Sequence, residues 1–207
     1  MRGFSDVLEN VEIGCYENKK IIINTKDKRP LRTHTPRMYM PFGISGFVPE
    51  VGQTKYNVEF SMKGWDEEGN YVKNFYDTIR ELEKRVILEV VQQSVNIFGE
   101  AKTYADVQSM FNSNIKEDPE REPKFRVKVD TTYDSRIKPL IVDPEKNDIR
   151  KEATNGLYAR NTGVAKVEMN SVYFLNKKFG ITWKLHQLMV FEPQRLKGFQ
   201  FVSEPCS

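Results

Sequence analysis

Three pairs of a cationic and an aromatic residue, each two positions apart, are candidates for binding nucleic acid. The pairs are Arg37 with Tyr39, Lys63 with Trp65, and Arg160 with Tyr158. Single-stranded nucleic acid is bound by cations that follow its backbone and by rings on which its bases stack, each stacked base contributing ~1–3 kcal/mol. Tyr39 is the best stacking candidate, because alternation along an extended segment places it on the same face as Arg37. Tyr158 comes second, whereas Trp65 could equally cap the end of a barrel.

Segment 124–129 alternates between apolar and cationic residues. The period of a β-strand turns its apolar residues inward and its cations outward, and these cations are Lys124, Arg126 and Lys128. Segment 177–188 shows the same alternation, with one apolar and one polar face. The apolar face holds Phe179, Ile181, Trp183 and Leu185, and the polar face holds Thr182, Lys184 and His186. Both segments predict strands that carry a core face and a binding face together.

Three lysines in segment 177–188 complete the predicted interface. The additional DNA-binding candidates are Lys177, Lys178 and Lys184. For several aromatic residues core burial is the better interpretation, because they share strand phase with apolar neighbours. These residues are Phe60, Phe125, Phe179 and Trp183. The pattern as a whole predicts a β-barrel that binds nucleic acid.

Charge is sorted along the chain, although the net charge is only +3. Residues 19–65 hold nine Lys/Arg against three Asp/Glu, residues 66–120 hold six against twelve, and residues 121–191 hold fourteen against eight. If the two flanking segments fold together, they form one basic surface, and the central segment packs elsewhere as an acidic counterweight. The alternative is a set of solvated faces with a chance imbalance.

Hydrophobic periodicity predicts mainly β structure with an inserted helix. Predicted strands cover 21–24, 56–64, 124–129, 137–142, 165–176 and 179–191, and the prolines of 35–45 favour an edge strand or an extended loop. A long amphipathic helix over 71–98 ends at Gly99, and a short helix follows at 104–111. Residues 116–123 are predicted to form a charged loop, and 176–178 the turn of a final hairpin.

Several classes of function lack support in the sequence. No glycine-rich phosphate loop, Gly-x-Ser-x-Gly or His-Glu-x-x-His motif is present, and there are two histidines. We therefore expect no enzyme activity, no cofactor and no metal. The two cysteines, Cys15 and Cys206, are expected to be free thiols. No secretory signal or membrane-length apolar segment is present, so we expect an intracellular protein.

Four segments, in order, resemble a family of proteins in large nucleocytoplasmic DNA viruses. They are the proline-phenylalanine-glycine segment 35–45, the strand 56–64 before a long helix, segment 123–129, and the phenylalanine-glycine-x-x-tryptophan-lysine segment 178–184. Members of that family are held to be single-stranded DNA-binding proteins related to the replication protein of short-tailed coliphages. The resemblance covers about residues 20–192.

The resemblance implies an OB-type five-stranded β-barrel with a long helix inserted between strands. It implies coating and protection of single-stranded DNA in viral replication, recombination and repair, without a cofactor, in the nucleus or cytoplasmic viral factory of an infected host cell. The expected division is an N-terminal extension 1–18, a DNA-binding domain 19–192 with a helical insert at about 71–115, and a tail 193–207. Viral replication proteins and a second copy of the chain are further expected partners.

One departure from the family pattern concerns the tail. The phage relatives end in an acidic tail with a terminal aromatic residue that engages replication partners, whereas residues 199–207 contain a single acid and end in serine. Recruitment through the tail is therefore in doubt. Two alternatives stay open from the sequence: a virion structural or adaptor protein that uses the barrel for protein contacts, and an RNA-binding OB module.

Overall fold

The computed structural model describes residues 4–193, so the predicted tail lies outside the described residues. The helices are α1 (Phe4–Asn10), α2 (Tyr71–Gln92), α3 (Ser94–Phe98) and α4 (Tyr104–Met110). The strands are β1 (Val11–Glu17), β2 (Lys20–Thr25), β3 (Leu31–His34), β4 (Met38–Met40), β5 (Ile44–Phe47), β6 (Lys55–Ser61), β7 (Phe111–Asn112), β8 (Ile115–Asp118), β9 (Arg121–Val129), β10 (Leu140–Val142), β11 (Asn161–Leu175) and β12 (Lys178–Phe191).

Five of these strands close into a barrel. Around it, β11 pairs with β4, β4 with β6, β6 with β9, β9 with β12, and β12 again with β11. All of these pairs are antiparallel except β9 with β12, which run parallel. The remaining strands extend the same sheet, β1 and β2 beyond β11, and β8 beside β9. The expected five-stranded barrel with a long helix inserted between strands is confirmed.

The barrel interior is filled by the residues whose alternation predicted an inward face. On β12, Trp183 and Leu185 are buried while Lys184 is half-buried on the outer face, so the predicted strand phase is confirmed. The ring of Phe125 meets those of Phe75 and Trp183 edge to face, with centroids 5.3 and 5.5 Å apart. Helix α2 therefore closes one end of the barrel with its apolar stripe.

The predicted long helix is confirmed, with one break. Asn70 caps its first turn by accepting a hydrogen bond from the Val72 amide at 2.9 Å. At Gln93 the helix is interrupted, and the side chain of this residue donates to the carbonyl of Gly14 at 3.0 Å and accepts from the amide of Tyr16 at 2.6 Å. The chain resumes as α3, which ends at a left-handed Gly99 as predicted.

Three expectations from the sequence need correction. Residues 116–123 form parts of β8 and β9 rather than a loop, because a register shift between Lys116 and Asp118 accommodates Pro123 inside the ladder. The strand predicted at 137–142 shrinks to β10 because Pro139 has no amide donor. Residues 4–17 form α1 and β1, neither of which we predicted, and β1 pairs with β2.

The final hairpin follows its prediction closely. Strands β11 and β12 are joined by Asn176 and Lys177, whose φ angles are +49° and +61°, as a tight hairpin turn requires. Register shifts at Lys166/Val167 and Met169/Ser171 bend β11 on its way around the barrel. None of the helices in residues 4–193 has the length and apolar content that a membrane crossing requires.

Gly43→Ala is expected to destabilise the fold by more than about 2 kcal/mol. Gly43 has φ +58°, and a Cβ there would overlap the Leu157 carbonyl and the Ala159 amide. Gly69 has a similar φ of +78° with open space around it, so Gly69→Ala is the control for backbone strain alone. Urea denaturation of both variants measures the difference. Equal destabilisation would show that the contact with 157–159 contributes nothing.

Candidate nucleic-acid interface

A cleft of about 730 Å³ opens on the outer face of the barrel, between the ends of β9 and β12. We call it the β9–β12 cleft. Its wall includes Phe47, Lys55, Asn57, Glu59, Asn114, Arg126, Lys128, Tyr173, Thr182 and Trp183. Two of these residues, Arg126 and Lys128, are among the sequence-predicted DNA-binding residues. Lys184, a third predicted residue, pairs with Lys128 beside the cleft.

The cleft exists because β9 and β12 diverge. In the described part of the chain they pair at Lys128 with Lys184, and beyond that point Asn114 takes the place of β12 next to β9. The amide of Arg126 donates to the Asn114 carbonyl at 2.9 Å, and the Asn114 side-chain amide donates to the Arg126 carbonyl at 3.1 Å. The backbone amide and carbonyl of Arg126 on β9 thus have hydrogen-bond partners, while the space between β9 and β12 stays open.

A buried carboxylate on α2 holds Asn114 in place. Glu83 is 3% exposed and accepts hydrogen bonds from the Ser113 hydroxyl at 2.7 Å and the Asn114 amide at 3.3 Å. Arg80 donates to the same carboxylate at 2.9 Å. Burial raises the pKa of Glu83, and the hydrogen bonds from Ser113 and Arg80 oppose this increase without cancelling it. The wall of the cleft therefore depends on a helix that does not itself line it.

Acidic neighbours fix the cations of the cleft in position. Arg126 forms an ion pair with Glu59 at 2.6 Å across the β6–β9 ladder. Asp130 binds Lys128 at 2.9 Å and Lys184 at 3.4 Å. Burial acts to raise the pKa of Asp130, but the hydrogen bond and charge of Lys128, with the charge of Lys184, hold this pKa below its usual range. Two lysines thus share one ionised carboxylate, which leaves a surplus of positive charge.

Two exposed aromatic rings line the cleft. Phe47 at the end of β5 is 63% exposed, and Tyr173 on β11 is 38% exposed. Neither was predicted from the sequence. Phe47 is the last residue of a short strand with no clear alternation, and Tyr173 faces outward because of the register shift at Met169/Ser171. Lys55, also missed, forms no ion pair within residues 4–193.

Arg37, Tyr39 and Lys63 come together in a separate recess of about 510 Å³, which Glu122 also lines. Tyr39 is 42% exposed there. The Arg37 guanidinium already makes two contacts within the protein. Its Nε donates to the Thr162 hydroxyl at 2.8 Å, and the group lies 4.0 Å from the centre of the Phe191 ring. We call this the Tyr39 recess.

Lys124 connects the Tyr39 recess with the β9–β12 cleft. It lies opposite Ser61, which in turn lies opposite Tyr39. Along β9 it continues the outward row of Arg126 and Lys128. Its ammonium is 5.2 Å from the ring of Phe42, which is 49% exposed and was not predicted as a site residue. The outer face of β9 thus joins both recesses.

Trp65 lies outside this face. Its ring packs on that of Tyr76 at 4.9 Å, and the recess beside it contains four carboxylates. They are Asp66, Glu67, Glu120 and Glu122, which outnumber the neighbouring cations. This position matches the alternative in which Trp65 packs at the end of the barrel.

Four other predicted residues also lie away from the cleft wall. The Tyr158 hydroxyl donates to the Ile149 carbonyl, and burial followed by the charge of Asp148 raises its pKa. Arg160 is exposed, and its amide donates to the Met40 carbonyl at 2.9 Å. Lys177 and Lys178 lie at the turn of the β11–β12 hairpin. Their roles in binding stay predictions.

Comparison with solved structures gives two phage proteins of similar architecture. The first is gp2.5, a single-stranded DNA-binding protein encoded by bacteriophage T7, at 12% identity over 84% of this chain and 98% of that chain, with a TM-score of 0.51. The second is the single-stranded DNA-binding protein of bacteriophage Enc34 in complex with ssDNA, at 13% identity over 90% and 99%, with a TM-score of 0.46. No family model and no curated protein sequence matches this chain.

The fold is that of an OB-type barrel. At this identity the likeness to the T7 protein establishes the fold alone, and it covers 84% of this chain. The function must be argued from the site. In residues 4–193 no three His, Cys, Asp or Glu side chains form a group that could hold a metal ion.

Replacing either cleft aromatic with alanine is expected to weaken binding to oligo-dT by about 1–3 kcal/mol, because each ring would stack on a base. Phe47→Ala and Tyr173→Ala are the test variants. Tyr133→Ala is the control, since Tyr133 is 91% exposed and does not line the cleft. Fluorescence anisotropy measures the affinities. A loss in the control as large as in the cleft variants would contradict the stacking role.

Glu83→Ala is expected to weaken oligo-dT binding and to destabilise the fold by about 3 kcal/mol, although Glu83 lies outside the cleft. Its loss would leave Arg80 without its buried partner and release Asn114 from its place beside Arg126. Glu81→Ala on the same helix is the control, because its exposed pair with Arg85 contributes only a few tenths of a kcal/mol. Affinity is measured well below both melting temperatures. Unchanged affinity in folded Glu83→Ala would contradict the positioning role.

Proposed function

We propose that this protein binds single-stranded DNA without sequence preference. The observation that carries the proposal is the β9–β12 cleft, where exposed rings and a surplus of cations line one groove. Phe47 and Tyr173 supply faces for stacking, and Lys55, Arg126 and Lys128 supply positive charge. Stacking tolerates every base, and phosphate contacts carry no sequence information. This combination therefore favours binding that does not depend on base sequence.

The exposed rings favour single strands over duplex DNA. In a duplex each base already stacks on its neighbours, so a ring on a protein surface has no free base face to contact. Stabilisation by Phe47 and Tyr173 is therefore available only to unpaired bases.

The role we propose is coating and protection of exposed strands during viral DNA replication, recombination and repair. Two similarities support it. The sequence resembles single-stranded DNA-binding proteins of large DNA viruses, and the fold is similar to that of the T7 protein, described as a single-stranded DNA-binding protein. On this proposal the protein acts in the nucleus or cytoplasmic viral factory of an infected cell. Replication proteins and a second copy of the chain are its proposed protein partners.

The test is fluorescence anisotropy with labelled oligo-dT, duplex DNA and oligo-rU across a salt titration. We expect tight binding to oligo-dT that falls with salt, and weak binding to the duplex. The double variant Arg126→Ala/Lys128→Ala should lose affinity and show a shallower salt slope, by about 0.7 for each phosphate contact removed from a single strand. Arg136→Ala/Lys138→Ala is the matched control, because these cations border a different recess.

Each result has a distinct meaning. Absence of strand binding by the wild type at low salt would overturn the proposal and favour a structural or adaptor barrel. Preference for oligo-rU over oligo-dT would favour an RNA-binding module, since only RNA offers the 2′-hydroxyl. An unchanged salt slope in the Arg126/Lys128 variant, with normal wild-type binding, would reject the β9–β12 cleft as the site.

A further inference from the structure

A row of paired outward-facing residues leads away from the β9–β12 cleft across four strands. Lys128 on β9 pairs with Lys184 on β12, Lys184 with Glu168 on β11, and Glu168 with Arg32 on β3. Paired residues point to the same side of a sheet, so all four side chains lie on one outer surface. The row starts at the wall of the cleft and runs toward the opposite side of the barrel.

Positive charge exceeds negative charge along this row. Glu168 is paired with Arg32 at 2.8 Å, and Asp130 is shared by Lys128 and Lys184. Lys166 adds another cation next to Glu168 on the same face of β11, and it forms no ion pair within residues 4–193. Four cations thus face two carboxylates.

Two histidines lie beside the row, and after burial the nearby cations contribute to lowering the pKa of each. The pKa of His186 lies below its usual range because of burial and then the charges of Arg32 and Lys166, with Glu168 opposing them. The pKa of His34, paired with Lys166, is lowered by burial and then by the charge of Lys166. Nearby cations that disfavour a protonated imidazole also favour an anion at the same place.

The row ends in a second recess, of about 290 Å³, which we call the Arg29 recess. Its lining includes three cations, Arg29, Arg32 and Lys166, together with His34 and two carboxylates, Asp6 and Asp27. Adjacent strands lie ~4.8 Å apart, so the path from β9 over β12 and β11 to β3 is about 14 Å long. A flexible polyanion that occupies the cleft can follow this path, because the cations along it outnumber the carboxylates.

We infer that single-stranded DNA leaving the β9–β12 cleft continues over Lys184 and Lys166 to the Arg29 recess. This inference rests on the proposed function, because it adds a second phosphate-binding surface for the same strand. The surface has no exposed aromatic ring among its named residues, so it contacts phosphates and contributes no stacking. Short oligomers fill the cleft alone, whereas longer ones reach both surfaces.

The test compares Lys166→Glu with Lys84→Glu on oligo-dT of increasing length. Lys84 is exposed on α2, away from both surfaces, so the two variants carry the same change in net charge. Oligomers run from about 4 to about 16 nucleotides, the range of site sizes of one OB fold. We expect Lys166→Glu to weaken the longest oligomer by about tenfold and the shortest by less than about twofold, with Lys84→Glu altering neither beyond about twofold.

Two results would overturn the inference. An unchanged affinity of Lys166→Glu for the longest oligomer would show that the strand does not reach this surface. An equal loss at every length would show that Lys166 acts on the cleft instead. Circular dichroism melting checks that both charge-reversal variants fold. If one of them does not fold, the neutral variants Lys166→Gln and Lys84→Gln are compared instead. Failure of the proposed function is distinct, because the wild type would then bind no oligomer of any length.

Discussion

The parallel contact between β9 and β12 is the constraint on which the proposed site depends. Closing a barrel requires these two strands to meet, and in the described part of the chain they pair at Lys128 and Lys184. This pair closes the barrel around its core. Beyond the pair the two strands diverge, which leaves a cleft on the outer face. Cations from β9 border the opening, and aromatic rings reach it from β5 and β11. One pairing therefore both completes the core and forms the groove.

An open seam in a barrel exposes backbone groups that must find partners, and this chain supplies them from its acidic segment. Asn114 satisfies the backbone of Arg126, and the buried Glu83 on α2 holds the 113–114 turn. The helix that closes the barrel end therefore also braces the wall of the groove. The cations that line the groove, Lys55, Arg126 and Lys128, come from the two basic segments, whereas Asn114 in its wall comes from the acidic one.

The alternation of side chains predicted β6, β9, β11 and β12 and the faces of their residues, because a strand with one buried side repeats every two residues. The same reasoning found Arg126, Lys128 and Lys184. It missed Phe47 and Tyr173, since one ends an irregular short strand and the other is reoriented by a register shift that depends on distant pairing. It also could not show that Trp65 packs on Tyr76, or that the Tyr158 hydroxyl donates to the Ile149 carbonyl, because side-chain periodicity within a strand or helix does not determine contacts made from the connecting segments.

The most direct test of the central claim is photocrosslinking of the wild-type protein to bromodeoxyuridine-substituted single-stranded DNA, with the crosslinked residues located by peptide mass spectrometry. If the β9–β12 cleft binds the strand, crosslinks will occur at Phe47 and Tyr173 and will disappear with competing unlabelled oligo-dT. Crosslinks at Trp65 or Tyr158, with none on the cleft wall, would contradict the assignment of the cleft as the DNA-binding site.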